Sequence, residues 1–178
     1  MKSVKMWMWE GDPVAEATFK SFGINPIPLS VIDVMTALQT GMVNGVYVSP
    51  LAIIALQWFT KVKYMMEVPL ADAAGAVLIS KKMFDKIPPQ YQEILVTNAK
   101  KYFEKLMKLS REDNARSIET LKQNEIQLTP SPPTEQLKLF QEKGKQARRM
   151  MAGKLYPLEL VEQVEQALVE YRNSQKKQ

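Results

Sequence analysis

The chain has 178 residues, 46% hydrophobic and 24% charged, with a net charge of +5; that balance belongs to a folded domain or two small lobes and excludes disorder as the main state. It contains no cysteine and no histidine, which excludes disulfides, thiolate nucleophiles, Cys-based metal sites, a Ser-His-Asp triad and the usual neutral-pH general base. There is no run of about 18 apolar residues for a membrane-spanning helix, and the opening MKSVKMWMWEGDP lacks the apolar region of a signal peptide. The charge is uneven. Residues 1–80 carry 5 Lys+Arg against 6 Asp+Glu, and residues 81–178 carry 19 against 13. Basic and acidic residues are interspersed in that second half, the pattern of solvated helix faces rather than of a nucleic-acid surface.

In chain order, Val4–Met8 reads as a strand, and Asp12-Pro13 opens a helix, with Asp12 as cap and Pro13 at the first helical position. Val14, Ala17, Thr18 and Phe22 keep helical spacing, and Gly23 is placed to end the helix in a left-handed conformation. Asn25-Pro26-Ile27-Pro28-Leu29 is extended, because each proline disfavours helix in the residue before it. Ser30 is expected to cap a second helix with Ile32, Met35 and Leu38 inward and Gly41 at its end. The unit then repeats: a strand over Met42–Val48, a helix from Pro50 to about Phe59, strand-like Tyr64–Val68, and a short apolar strand over Ala74–Ile79. Strands alternating with helices of about ten residues predict an α/β layer of four or five short, mainly parallel strands over residues 1–80.

After Ser80 the chain turns helical. Lys81–Lys86 makes one or two turns, and Pro88-Pro89 starts a long helix whose apolar positions (Tyr91, Leu95, Ala99, Tyr102, Phe103, Leu106, Leu109) keep a 3.6-residue period to about Gln123. Ile126–Leu128 is a short strand, Thr129–Thr134 a proline-rich linker, and Glu135–Ala152 and Leu158–Tyr171 two further helices broken apart by Gly153 and Pro157. Residues Arg172–Gln178 are expected to fray.

The ordered set Lys5-Met6-Trp7-Met8-Trp9-Glu10-Gly11-Asp12-Pro13, Pro28-Leu29-Ser30, Thr36-Ala37-Leu38-Gln39-Thr40-Gly41, Val43-Asn44-Gly45 and Ser49-Pro50-Leu51, followed by SKKMFDKIP at Ser80–Pro88, resembles the DctP family of solute-binding proteins. These feed tripartite ATP-independent periplasmic (TRAP) transporters. The resemblance is good over residues 4 to about 125 and rests on helical pattern alone beyond. It implies an α/β fold: a periplasmic-binding-protein type II-like lobe, incomplete here, followed by a long helix and C-terminal helices. On it, residues 1–68 form most of the second lobe, 69–129 the return strands and bracing helix, and 130–178 a C-terminal helical segment. Family proteins are roughly twice as long, and the first lobe's N-terminal half and the export signal have no counterpart in this sequence.

The resemblance implies a solute-binding component of a secondary transporter, periplasmic, with no catalytic residues, no metal and no cofactor. Its partners would be a small-molecule solute, the transporter's membrane subunits, and a missing N-terminal lobe or a second copy of the chain; nucleic acid is not among them. Members that bind organic acids carry an arginine where Trp7 stands, which pairs two parallel bonds with the substrate carboxylate. Trp7 offers one donor and an apolar face, and Ser49 stands where the family often has asparagine. The ligand-side residues implied are therefore Trp7, Trp9, Glu10, Val31, Tyr47 and Ser49, with an apolar or aromatic ligand that needs no arginine clamp. By alternation alone Trp7 and Trp9 share one strand face, which is either cleft or helix-covered core, and periodicity does not choose. Glu10 and Asp12 could form an acid/base or cation pair, but Asp12 reads first as a helix cap. Trp58 and Phe59 read as packing, and the eleven methionines as gap-fillers. The competing functions are a self-associating interaction module without solute binding, and an enzyme using lysine or carboxylates, for which no spacing speaks.

Overall fold

The computed structural model describes residues 3–71 and 75–175. The chain divides into two compact units, one built from residues up to Tyr47 together with those from Pro132 onward, the other from Val48–Ser131. These borders differ from the three consecutive segments expected from the sequence.

The first unit starts with strand β1 (Trp7–Trp9), helix α1 (Pro13–Ser21) and strand β2 (Ile27–Leu29). Asp12 caps α1 as expected, its carboxylate accepting the backbone N–H of Val14 and Ala15, and Gly23 turns the chain at φ +72. β1 and β2 pair in parallel, Trp7 opposite Ile27 and Trp9 opposite Leu29. On its other side the chain meets Gly45, through a parallel bridge at Met6 and the Trp7 N–H to Gly45 carbonyl bond at 2.8 Å. The strand expected over Met42–Val48 is thus reduced to one bridged residue. The reason is visible in Asn44, whose side-chain Oδ1 takes the Lys5 N–H at 2.8 Å while its own N–H and that of Gly45 both reach the Lys5 carbonyl. A side chain replaces one rung, and the ladder stops.

Next comes a single 3-10 turn, Val31–Asp33, and then helix α2 (Val34–Gln39), ended by Gly41 at φ +69. The Ser30 side chain makes no cap bond. Val34 and Ala37 point inward while Ile32 is 81% exposed, so the expected inward set Ile32, Met35, Leu38 is out of phase. The tighter turn, three residues rather than 3.6, rotates the helix that follows.

The unit is completed from far along the chain by α6 (Thr134–Met151) and α7 (Leu158–Gln175). Met8, Ala15, Phe19 and Ile24 form one buried cluster. Ala17, Ala147 and Met151 form another with Tyr156 against it, and Phe22 meets Phe140 edge-on at 5.4 Å. Between the two helices Gly153, at φ +80, donates its N–H to the Tyr156 carbonyl. Helix α7 runs on through Arg172–Gln175, where fraying was expected; residues 176–178 lie outside the described residues.

The second unit holds α3 (Pro50–Ala55), a 3-10 turn (Trp58–Lys61), β3 (Tyr64–Met66), α4 (Lys81–Phe84), α5 (Pro89–Gln123) and β4 (Gln127–Thr129). α3 is shorter than expected because Gln57 takes a left-handed conformation, φ 58. β3 and β4 pair in parallel, Tyr64 opposite Gln127 and Met66 opposite Thr129. One continuous parallel layer was expected; instead each unit carries its own two-stranded pair. The strand expected over 74–79 does not form across 75–79, where Val77 and Leu78 are 77% and 88% exposed; Ala74 lies outside the described residues. α5 packs on α3 through its C-terminal third, with the Asn114 Oδ1 accepting the Leu51 N–H at 3.1 Å and Ser117 and Leu121 buried. Its first six turns are exposed almost throughout.

Candidate functional site

The end of β1 carries the first unit's candidate residues. Alternation along the strand sends Met8 into the core cluster and puts Trp7 and Trp9 on the other face, their rings 5.6 Å apart. The two tryptophans have different fates. Trp7 is 0% exposed, its indole N–H donating to the Leu29 carbonyl at 3.0 Å and its ring 5.3 Å from that of Tyr47. It was expected to line a cleft; in the structure it presents no surface and forms the floor behind its neighbour. Trp9 is 49% exposed.

Tyr47 fastens this corner. Its hydroxyl accepts the Trp9 N–H at 3.2 Å and donates to the Asp12 Oδ2 at 2.9 Å, and Phe19 meets its ring edge-on at 5.4 Å. Burial pushes the phenol up to about 12, an effect the hydrogen bond to the Asp12 carboxylate and its charge reinforce and the Trp9 N–H opposes. Tyr47 is therefore a neutral donor at physiological pH. Asp12 has two jobs: one oxygen caps α1 and the other receives Tyr47. The sequence reading found only the cap. No local spacing could have found the second, since the partner is 35 residues away.

Glu10 is exposed, immediately after Trp9, and Val31 is half-buried in the turn after β2, two residues from the Leu29 carbonyl that holds Trp7. Ser49 belongs to the second unit. It is half-buried, and its Oγ accepts the Ala52 N–H at 3.2 Å as the cap of α3. The structure thus joins Trp7, Trp9 and Tyr47 in one network, adds Asp12 to it, and gives Ser49 a separate structural task. Among the described residues no group of three or more His, Cys, Asp or Glu could hold a metal ion. The arrangement offers an aromatic face backed by satisfied polar groups, suited to holding a ring or apolar edge by contact.

The second unit has a hollow of about 630 Å³ beside the start of β4, lined by Phe59, Val62, Lys63, Lys122, Glu125 and Ile126 among others. No residue from the sequence-derived site lies in it, and Lys122 is already paired with Glu119 at 2.7 Å. Among the described residues no helix is long and apolar enough to cross a membrane.

Comparison with known proteins gives this geometry a context. The chain is 29% identical over 117 residues to the 2,3-diketo-L-gulonate-binding periplasmic protein YiaO of Escherichia coli K12, covering 65% of this chain and 35% of that protein. A TRAP periplasmic solute-binding protein from Fusobacterium nucleatum, solved with sn-glycerol-3-phosphate, superposes with a TM-score of 0.78 at 17% identity, over 99% of this chain and 55% of the other. Another from Xanthobacter autotrophicus, solved with β-D-galacturonate, gives 0.76 at 18% identity, over 86% and 50%. The chain therefore spans about half of those structures and about a third of the E. coli protein. The shared fold is that of a type II-like binding-protein lobe, as the sequence resemblance implied. The model of the bacterial extracellular solute-binding proteins, family 7 (DctP), matches residues 5–154, and the chain belongs to that family.

Proposed function

We propose that this chain is the C-terminal portion of an extracytoplasmic solute-binding component of a TRAP-type secondary transporter, working in the periplasm with the transporter's membrane subunits and performing no catalysis. The family match over residues 5–154 carries this reading. The segments 1–68, 69–129 and 130–178 would correspond to the second lobe, the return strands with the long helix, and the C-terminal helices. On the ligand side of the first unit we place Trp9, Glu10, Val31 and Tyr47, with Trp7 as the buried support of Trp9; Ser49, in the second unit, caps α3. The ligand would present an aromatic or apolar face to the half-exposed Trp9. Trp7 supports the idea that no arginine clamp operates, because its only donor is spent on the Leu29 carbonyl.

A second reading has a specific observation in its favour. The three similar proteins named above take acids: a diketogulonate, a glycerol phosphate and a galacturonate. A small sugar acid is then the ligand, held by groups other than Trp7.

Trp9 provides the probe for both. Trp7 and Trp58 are buried, so quenching of tryptophan fluorescence by a bound solute should come chiefly from Trp9. Titration of the chain with neutral aromatic and apolar solutes on one side and hexuronates on the other separates the readings. Saturable quenching by the first group alone, lost in Trp9→Ala, supports the aromatic ligand. Saturable binding of hexuronates alone replaces it with the acid, and no binding in either group removes the solute-binding proposal for this portion of the protein.

A further inference from the structure

We propose that Glu10 sets the charge preference of the solute site, which takes a cationic group with an apolar surface, such as a methylated ammonium, in preference to an anion. The inference rests on the reading of Trp9 as the ligand face and adds the sign of the charge that the solute carries there. It starts from the turn between β1 and α1. Trp9, Glu10, Gly11 and Asp12 form a four-residue turn, closed by the Asp12 N–H on the Trp9 carbonyl at 3.1 Å. Gly11 stands third in it at φ +78, the conformation that a type II turn reserves for glycine. Tyr47 grips both ends, its hydroxyl accepting the Trp9 N–H and donating to the Asp12 carboxylate. Glu10 therefore sits inside a segment held at each end, next to the half-exposed indole.

The charges of this stretch give the sign. Up to Tyr47 the described basic residues are Lys5 and Lys20, and both are engaged. Lys5 Nζ lies on the Gly41 carbonyl at 2.9 Å, and Lys20 Nζ on Glu16 at 2.6 Å. Asp12 is bonded by neutral donors, the N–H groups of Val14 and Ala15 and the Tyr47 hydroxyl. Its charge is met by the partial positive end of α1 and by no side-chain cation among the described residues. Glu10 is exposed and, among the described residues, makes no side-chain hydrogen bond or ion pair.

Ring and carboxylate act in one direction. The indole face attracts cations through its quadrupole, tryptophan most strongly of the aromatic side chains. Consecutive Cα atoms are about 3.8 Å apart, so the Glu10 charge lies well inside the screening length of about 10 Å at 0.1 M salt for any group resting on Trp9. An ammonium gains from both, a neutral group of the same shape gains contact alone, and a carboxylate meets repulsion.

The test uses one shape with three charges: choline, its neutral isostere with carbon in place of nitrogen, and the carboxylate on that carbon skeleton. Each is titrated into the whole chain, and the shift of the Trp9 indole resonances is followed by NMR. Choline should bind about five- to tenfold more tightly than the neutral isostere, and the carboxylate more weakly than either. Glu10→Gln should reduce the preference for choline about three- to fivefold, as should raising the salt from about 50 mM to about 500 mM. Glu16→Gln, which removes the same charge from α1 outside the turn, should leave the preference within about twofold. Equal affinities, a preference for the carboxylate, or a choline preference that Glu10→Gln leaves unchanged overturns the proposal. No saturable shift with any of the three overturns it as well, while the solute-binding reading then stands or falls separately, by the titration with neutral aromatics and hexuronates.

Discussion

At the scale of single residues, the site depends on three side chains whose polar groups are spent internally. Trp7 shows the consequence most directly. Replacing it by arginine puts a charge where the structure has no solvent. Trp7→Arg should cost about 3–5 kcal/mol, the range of a large buried aromatic lost to truncation, with the desolvated charge adding to it; urea denaturation reads this, and a variant as stable as wild type would show that position 7 is open. Tyr47→Phe removes one hydroxyl that both accepts and donates, for about 1 kcal/mol at neutral pH. The sign of its pH dependence follows from its raised pKa. The neutral phenol is favoured by folding, so its contribution is complete below pH 10 and is lost as pH rises toward about 12. The stability difference between wild type and Tyr47→Phe should therefore shrink over that interval, and a constant difference would separate the hydroxyl from the Asp12 network. Asp12→Ala should cost more than the roughly 1 kcal/mol typical of a lost cap, since Tyr47 loses its acceptor in the same step.

At the scale of elements, the long helices and the short α1 and α4 were legible, and the strands were not. α5 was anticipated over its length, to about Gln123, from seven apolar positions in period and a Pro-Pro start. The C-terminal pair followed from Gly153 and Pro157. The strands were found only in outline, because three-residue pairs are decided by their neighbours: Asn44 ends one ladder with its side chain, and Val77–Ile79, apolar enough for a strand, has no partner in the ladders the structure shows. The site was legible in composition and not in placement. Trp9 is accessible and Trp7 is not, although alternation gives them one face, because the second has Leu29 and Tyr47 over it. The α6–α7 junction yields a further expectation. Arg148 hydrogen-bonds Glu165 at 3.1 Å, with Arg149 at 3.7 Å, and the first of these chiefly holds the Glu165 carboxyl below its usual 4.5. A lowered carboxylate contributes stability above 4.5 that fades as pH falls below it, so Glu165→Gln should differ from wild type at pH 7 and converge with it in acid, as followed by thermal denaturation. Hydrogen exchange should divide α5 in the same elemental way, with slow amides near Ser117 and Leu121 and faster ones over residues 92–110.

At the scale of the molecule, the first unit is assembled from the two ends of the described chain and the second from its middle. That interleaving fixes an order of events. A ribosome delivers α1 first, and the residues that cover its outer side, Phe140, Ala147 and Met151, emerge more than a hundred residues later. The middle unit is therefore complete, with both strands of its β3–β4 pair available, while α1 still waits with Ala17 and Phe22 uncovered. A nascent chain arrested before Thr134 should protect β4 from protease and leave α1 open to it, and release of the remaining residues should close α1 last. Until α6 and α7 arrive, then, the first unit has one side of its core open to solvent, and any factor that binds unfinished chains has that interval in which to act on it.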